Sequence, residues 1–144
     1  MARVSTYLNF ADSTEKAFEF YRGVFGTEFQ GPINRFGDAP PSPDHPMDEA
    51  TRKLVMHVSL PILGGHVLMG SDAPAAMGFT VTQGNNFYIN LEPDSRADAD
   101  RLYGALANGG KPEQPMQEMF WGAYWGCLTD QFGIKWMINC EAKA

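Results

Sequence analysis

Only two cysteines occur in the 144 residues, Cys127 and Cys140, and they show neither CxxC nor zinc-ribbon spacing. A disulfide-stapled scaffold and a cysteine zinc site are excluded, and both thiols are expected to be reduced. Basic residues are also scarce, with 11 Lys and Arg against 17 Asp and Glu and no basic run anywhere. Nucleic acid and anionic membrane both require a concentrated basic surface, so neither is expected as a partner. No segment approaches about 18 uninterrupted apolar residues. The start, Met1-Ala2-Arg3-Val4-Ser5-Thr6-Tyr7, carries no apolar leader core. The expectation is a cytoplasmic protein.

What the chain does have is globular composition, 44% hydrophobic and 19% charged. That suits one domain with a real core rather than a disordered segment. It also has an internal repeat. Tyr7-Leu8-Asn9-Phe10 returns as Tyr88-Ile89-Asn90-Leu91, an offset of 81 residues. Past Pro93 the offset becomes 82: Asp12-Ser13 matches Asp94-Ser95, Ala17 matches Ala99, and Tyr21 matches Tyr103. Each copy opens with period-2 alternation, the mark of a strand with two unlike faces, followed by an Asx/Ser helix start. The helical stripes are Ala17, Phe18, Tyr21 and Val24 in one copy and Ala99, Leu102, Tyr103 and Leu106 in the other. Gly26 and Gly109-Gly110 serve as stops.

Further strands are expected at Glu28 to Phe36, Leu54 to Leu60 and His66 to Ser71, the last two joined by a Gly64-Gly65 turn. In the second copy they fall at Glu113 to Met119, Ala123 to Thr129 and Ile134 to Cys140, with a turn at Asp130-Gln131-Phe132-Gly133. Each copy is therefore β-α-β-β-β. The expected fold is α+β: two such modules (about 1–72 and 84–144, linked by 73–83) forming a curved mixed sheet around a cleft, helices outside. The Pro- and acid-rich stretch Gly37 to Thr51 reads as an exposed loop or lid. His45 within it reads as a solvated surface residue.

The helices must cover one face of each sheet, so the apolar members of each alternation mark that face. These are Thr6, Leu8 and Phe10; Phe87, Ile89 and Leu91; Leu54, Met56, Val58 and Leu60; and Ile134, Trp136 and Ile138. Opposite them stand Ser5, Tyr7 and Asn9; Asn86, Tyr88 and Asn90; Val55, His57 and Ser59; and Lys135, Met137 and Asn139. A semi-apolar wall with a few polar groups is the usual make-up of a small-molecule site. It also fits a sheet face that is merely exposed. The run Met116, Met119, Phe120, Trp121, Tyr124 and Trp125, interleaved with Gly122 and Gly126, reads either as a stacking wall for a ligand or as a dimer interface.

The duplicated unit, with Tyr7-Leu8-Asn9-Phe10 before the helix and Ala17-Phe18-Glu19-Phe20-Tyr21 within it, resembles the vicinal oxygen chelate superfamily. That group includes the glyoxalases, bleomycin-resistance proteins and extradiol dioxygenases. Val55-Met56-His57-Val58, Leu68-Met69-Gly70-Ser71-Asp72, Phe120-Trp121-Gly122 and the run from Asp130 to Asn139 are similar to its PhnB-like branch. Some relatives carry a methyltransferase label, but the chain shows no strand followed by a glycine-rich loop for a methyl donor.

The resemblance implies a divalent metal held by one ligand from the first and one from the last strand of each module. Carried over by register, those positions are Ser5, Met69, Asn86 and Met137. Ser and Asn are poor donors and a Met thioether suits copper(I), so the usual quartet is expected to be missing, with no metal and no other cofactor. That puts glyoxalase and dioxygenase chemistry in doubt.

The ligand-binding candidates are Ser5, Tyr7, His57, Met69, Asn86, Tyr88, Trp121, Tyr124 and Met137. His57 is the candidate general acid/base, because its ordinary pKa lies near neutrality. Read by itself, a lone His is first a hydrogen-bonded structural residue. The expected function is to bind or transform a small organic molecule in the inter-module cleft. The alternatives are a non-catalytic protein that sequesters a drug or metabolite, for which the acidic balance suits a cationic ligand, and a metal-dependent lyase or dioxygenase with displaced ligands. The resemblance also implies a homodimer.

Overall fold

The computed structural model describes residues 1–40, 42–44 and 46–143. The expectation for His45 therefore lies outside the described residues. The chain divides into two compact units, Met1–Thr82 and Gln83–Ala144. In the first, β1 (Thr6–Phe10) leads into α1 (Thr14–Phe25), then β2 (Asn34–Arg35), α2 (Glu49–Lys53), β3 (Val55–Pro61) and β4 (Val67–Asp72). In the second, β5 (Ile89–Leu91) leads into α3 (Arg96–Ala107), then β6 (Lys111–Glu118), β7 (Tyr124–Thr129) and β8 (Lys135–Cys140).

Each unit holds one four-stranded mixed sheet, in the orders β1-β4-β3-β2 and β5-β8-β7-β6. In both, the first strand runs parallel to the last, and the other pairs are antiparallel. The fold is α+β, and the repeat in the sequence is a repeat in topology.

The helices form where the stripes place them. Ala17, Phe18, Tyr21 and Val24 are buried on α1, which packs on β3 and β4. Ala99, Leu102 and Leu106 are buried on α3, which packs on β6, β7 and β8. Tyr103 is half-buried, because its hydroxyl reaches the carbonyl oxygens of Gln114 at 2.9 Å and Cys127 at 3.1 Å. Gly26 ends α1 with φ 65°, a left-handed conformation that glycine adopts without a Cβ penalty.

The two helices start differently. The Ser95 hydroxyl accepts the Asp98 N–H, whereas Ser13 makes no side-chain cap bond. At α1 the buried Asp72 carboxylate, arriving from the end of β4, accepts the Thr14 N–H at 3.0 Å and the Val55 N–H at 2.8 Å.

Four expectations from the sequence need correction. The strand expected over Glu28 to Phe36 shrinks to Asn34–Arg35, since Gly31 takes φ 80° and Pro32 has no N–H for a ladder. On β3, Met56 is 38% exposed and Val55 only 1% exposed, the reverse of the simple alternation. The pairing explains it: Asn34 opposes His57 and Arg35 opposes Val55, so Met56 is the extra residue of a bulge. Phe87, expected on the covered face, is 63% exposed because β5 begins only at Ile89. Part of the stretch expected as a loop is ordered as α2, capped by Asp48, whose carboxylate accepts the Thr51 N–H at 2.8 Å.

Candidate functional site

Opposite α1, the sheet of the first unit presents Tyr7 and Asn9 from β1, His57 and Ser59 from β3, and Met69 and Ser71 from β4. The β1–β4 register sets Tyr7 beside Met69 and Asn9 beside Ser71. The β3–β4 register sets Ser59 beside Met69. The bulge at Met56 restores the alternation that leaves His57 on this face, where its Nδ1 lies 3.2 Å from the Tyr7 hydroxyl. The two rings have centroids 5.8 Å apart and are tilted by 32°. Tyr7 is 48% exposed, so this aromatic pair stands in reach of a ligand.

Around that pair the polar groups satisfy one another. Asn9 Nδ2 donates to Ser71 Oγ at 2.9 Å, and Ser59 Oγ donates to Gln30 Oε1 at 3.1 Å. Ser5 lies just before β1, its hydroxyl 4.0 Å from the Met69 sulfur. Apart from the His57 imidazole, these side chains are hydroxyls, amides and a thioether.

The corresponding face of the second unit is charged. Leu8 pairs with Gly70 and its repeat Ile89 pairs with Trp136, so Gly70 corresponds to Trp136 and Met69 to Lys135. Lys135 pairs with Thr129 as Met69 pairs with Ser59. Met137 therefore corresponds to Ser71. Met69 and Met137, each carried over as the last-strand position of its unit, therefore stand two residues apart in register. Asp130 Oδ1 closes the turn after β7 by accepting the Phe132 N–H at 2.8 Å and the Ile134 N–H at 3.1 Å.

Glu113, from β6, sits at the centre. Its carboxylate takes the Lys135 ammonium, the Thr129 hydroxyl at 2.6 Å and the Tyr88 hydroxyl at 2.8 Å. The Cys127 sulfur lies 3.8 Å away. Lys135 also donates to Thr129 Oγ1 at 3.1 Å and stands 5.0 Å from the Tyr88 ring centre.

The ionisations follow from these contacts. The hydrogen bonds from Lys135 and Thr129 hold the Glu113 carboxyl at about 2, against an ordinary 4.5. The same bond raises Lys135 above the usual lysine range, and the Glu113 carboxylate raises Tyr88. Burial pushes the Cys127 thiol up, which disfavours the thiolate and a nucleophilic role.

The remaining candidates scatter. Met137 is half-buried on β8 between Asn90 and Cys127. Asn86 is exposed ahead of β5. Tyr124 lies on the α3 side of its sheet, where its hydroxyl donates to Asp100 at 2.6 Å and the Arg96 guanidinium covers its ring at 4.8 Å. Its neighbour Trp125, paired with Asn139, alternates onto the opposite face. Phe120 and Trp121 project at the β6–β7 turn, 97% and 57% exposed, with ring centroids 5.0 Å apart. The aromatic run is thus split between a helix-facing residue, a face residue and a turn. Sequence reasoning placed Lys135 on this face but missed Glu113 as its partner. Its signal was opposite charges on outward positions of two strands.

At the positions where the resemblance implies metal ligands stand Ser5, Met69, Asn86 and Met137. This donor set does not fit a hard divalent ion, which takes imidazole nitrogen or carboxylate oxygen. Among the described residues no group of three or more His, Cys, Asp or Glu is placed to hold a metal. Among them also, no helix is long and apolar enough to cross a membrane.

The chain is similar to protein PA1353 of Pseudomonas aeruginosa, at 34% identity over 99% of this chain and all of that one, with a TM-score of 0.84. Protein YjdN of Escherichia coli is 28% identical over 94% of this chain and 93% of its own length. The PhnB protein of Bacillus cereus shares the fold at 22% identity and a TM-score of 0.72, covering 96% of this chain and 99% of that one. Residues 3–138 match the Glyoxalase/Bleomycin resistance protein/Dioxygenase superfamily, and the chain belongs to that superfamily.

Proposed function

We propose that the protein binds a small organic molecule on the uncovered sheet face of its first unit and acts on it, where it acts, through His57 rather than a divalent metal. The observation that carries this reading is the Tyr7–His57 pair, a half-exposed phenol 3.2 Å from an imidazole nitrogen on an otherwise uncharged face. The pairing matters chemically. When the Tyr7 O–H donates to Nδ1, the neutral ring carries its proton on Nε2 and is a donor there. When Nδ1–H donates to the phenol oxygen, Nε2 becomes the acceptor. One contact thus supports either proton donation or proton abstraction at Nε2. Ser5, Met69 and Ser71 line the neighbouring β-strand positions, and Tyr88 and Met137 belong to the second unit's own face.

A second reading is favoured by the net charge of −6: a non-catalytic protein that sequesters a cationic drug or metabolite. In both readings the protein is cytoplasmic, in keeping with two free buried cysteines. It pairs as a homodimer on its family resemblance, with Phe120 and Trp121 available for contact. Light scattering is expected to give twice 15.9 kDa.

Titration calorimetry with bleomycin as a cationic probe, on wild type and His57→Ala, separates the readings. Binding that survives His57→Ala and returns the probe unchanged supports sequestration. Elemental analysis of protein purified without a metal-affinity step tests the metal-free part, and one equivalent of divalent metal would overturn it.

A further inference from the structure

The second unit carries a feature that small-molecule binding on the first does not call for. Lys135 and Glu113 face the same side of the sheet as Tyr88. The β5–β8 register carries Lys135 to the place beside Tyr88 that Met69 holds beside Tyr7.

An ammonium has three N–H donors. Here one goes to Glu113 Oε1, one to Thr129 Oγ1 at 3.1 Å, and the charge lies 5.0 Å from the Tyr88 ring centre. A carboxylate has about four lone-pair sites. Oε1 takes Lys135 and Thr129, while Oε2 takes Tyr88 at 2.8 Å and faces the Cys127 thiol at 3.8 Å. The carboxylate's sites are filled and two of the three ammonium N–H groups are used, and both side chains are mostly shielded, 15% exposed for Lys135 and 24% for Glu113.

We propose that Lys135 is a built-in cation of the second unit, fixed by Glu113, Thr129 and Tyr88, and that it keeps divalent ions off this face by occupying the Glu113 carboxylate. In the first unit uncharged Met69 stands where the second has Lys135, and uncharged Gln30 bonds Ser59 as Glu113 bonds Thr129. The inference rests on the metal-free reading above, but it makes its own claim about which residue enforces it. A hard cation needs several oxygen donors, so replacing the ammonium with a second carboxylate should create a site where none exists.

The test uses the full chain and terbium(III), whose emission is sensitised by nearby Tyr and Trp side chains. Wild type should give no saturable emission. Lys135→Glu should give saturable emission at one equivalent, at least about tenfold above the wild-type signal at the same terbium concentration, and Lys135→Glu with Glu113→Gln should lose that gain. Lys135→Glu that is folded by circular dichroism yet gains nothing overturns the proposal.

A measurement on wild type alone keeps the question open to refutation should that variant not fold. Manganese(II) added to carboxyl-labelled protein should leave the Glu113 signal unbroadened, and selective broadening at Glu113 would sink the idea. Metal found in wild type that spares the Glu113 signal counts against the metal-free reading of the first unit only.

Discussion

The two units share strand order, strand direction and helix placement, yet they differ at every layer where side chains decide. On the covered side, the first unit sets a large helix residue against a small strand residue. A Cβ added at Gly70 would lie 2.6 Å from Phe18 Cε1. The second unit inverts this, placing Trp136 at the Gly70 position and exposed Asp100 at the Phe18 position. The bulky covered side chain comes from the helix in one unit and from the strand in the other, and each fills space at close packing. On the uncovered side nothing needs conserving, and there the units part company. One keeps an uncharged face around Tyr7 and His57; the other builds an ion pair beside Tyr88. Topology was duplicated, and the uncovered faces diverged.

The largest test of this contrast is Trp136→Ala. The side chain is fully buried, and its indole N–H donates to Asp130 Oδ2 at 2.8 Å, which anchors the turn leading into β8. Removing it leaves a cavity and takes one donor from a buried carboxylate. The expected loss is about 4 kcal/mol, read by urea denaturation. A loss below about 1 kcal/mol would mean that the second unit does not depend on this replacement for Phe18.

Next comes Asp72, which has no carboxylate counterpart in the second unit, where Ile138 holds the equivalent place. Asp72→Ala leaves the N–H groups of Thr14 and Val55 without their acceptor, and the expected cost is about 2–3 kcal/mol. Because Val55 abuts the bulge that sets His57 on the uncovered face, the imidazole resonances of His57 should also shift in the NMR spectrum. Unchanged resonances would show that the bulge holds without the clamp.

These differences explain what could be read from the sequence. The offsets of 81 and 82 fixed the strand–helix starts and both buried stripes, because period and caps are local signals. Alternation gave the correct side for Leu8, Val58, Ile89, Trp136 and Lys135. It failed at Met56, where a bulge between strands far apart in sequence inserts one residue, and at Phe87, where pairing begins two residues later. The Lys135–Glu113 contact joins strands 22 residues apart across β7, and only the tertiary register reveals it. His57 was visible as a titratable group on the right face, but its partner Tyr7 lies 50 residues earlier in the chain.

A smaller effect separates the two uncovered faces by pH. The folded Glu113 carboxyl sits at about 2 against an ordinary 4.5. A depressed carboxyl contributes stability that is present above the ordinary value and lost as pH falls toward the folded one, so the window runs from about pH 4.5 down to about 2. Glu113→Gln should cost about 1 kcal/mol at neutral pH, a modest figure because the pair is partly solvated. It should also flatten the fall in stability across that window. Gln30→Glu in the first unit has no ammonium opposite and should not reproduce the profile. If it does, the ion pair is not what distinguishes the faces.

The finest distinction lies at the helix starts. Ser13 and Ser95 are repeats of one another in sequence, and both would be read as N-caps. Only Ser95 acts as one, through the Asp98 N–H at 3.1 Å. At α1 the Ser13 hydroxyl makes no capping bond, and Asp72 accepts the Thr14 N–H of the first turn. Ser95→Ala should therefore cost about 1 kcal/mol, and Ser13→Ala only a few tenths, roughly 0.3 kcal/mol. Equal costs for the two serines in wild type would show that the two units begin their helices alike after all.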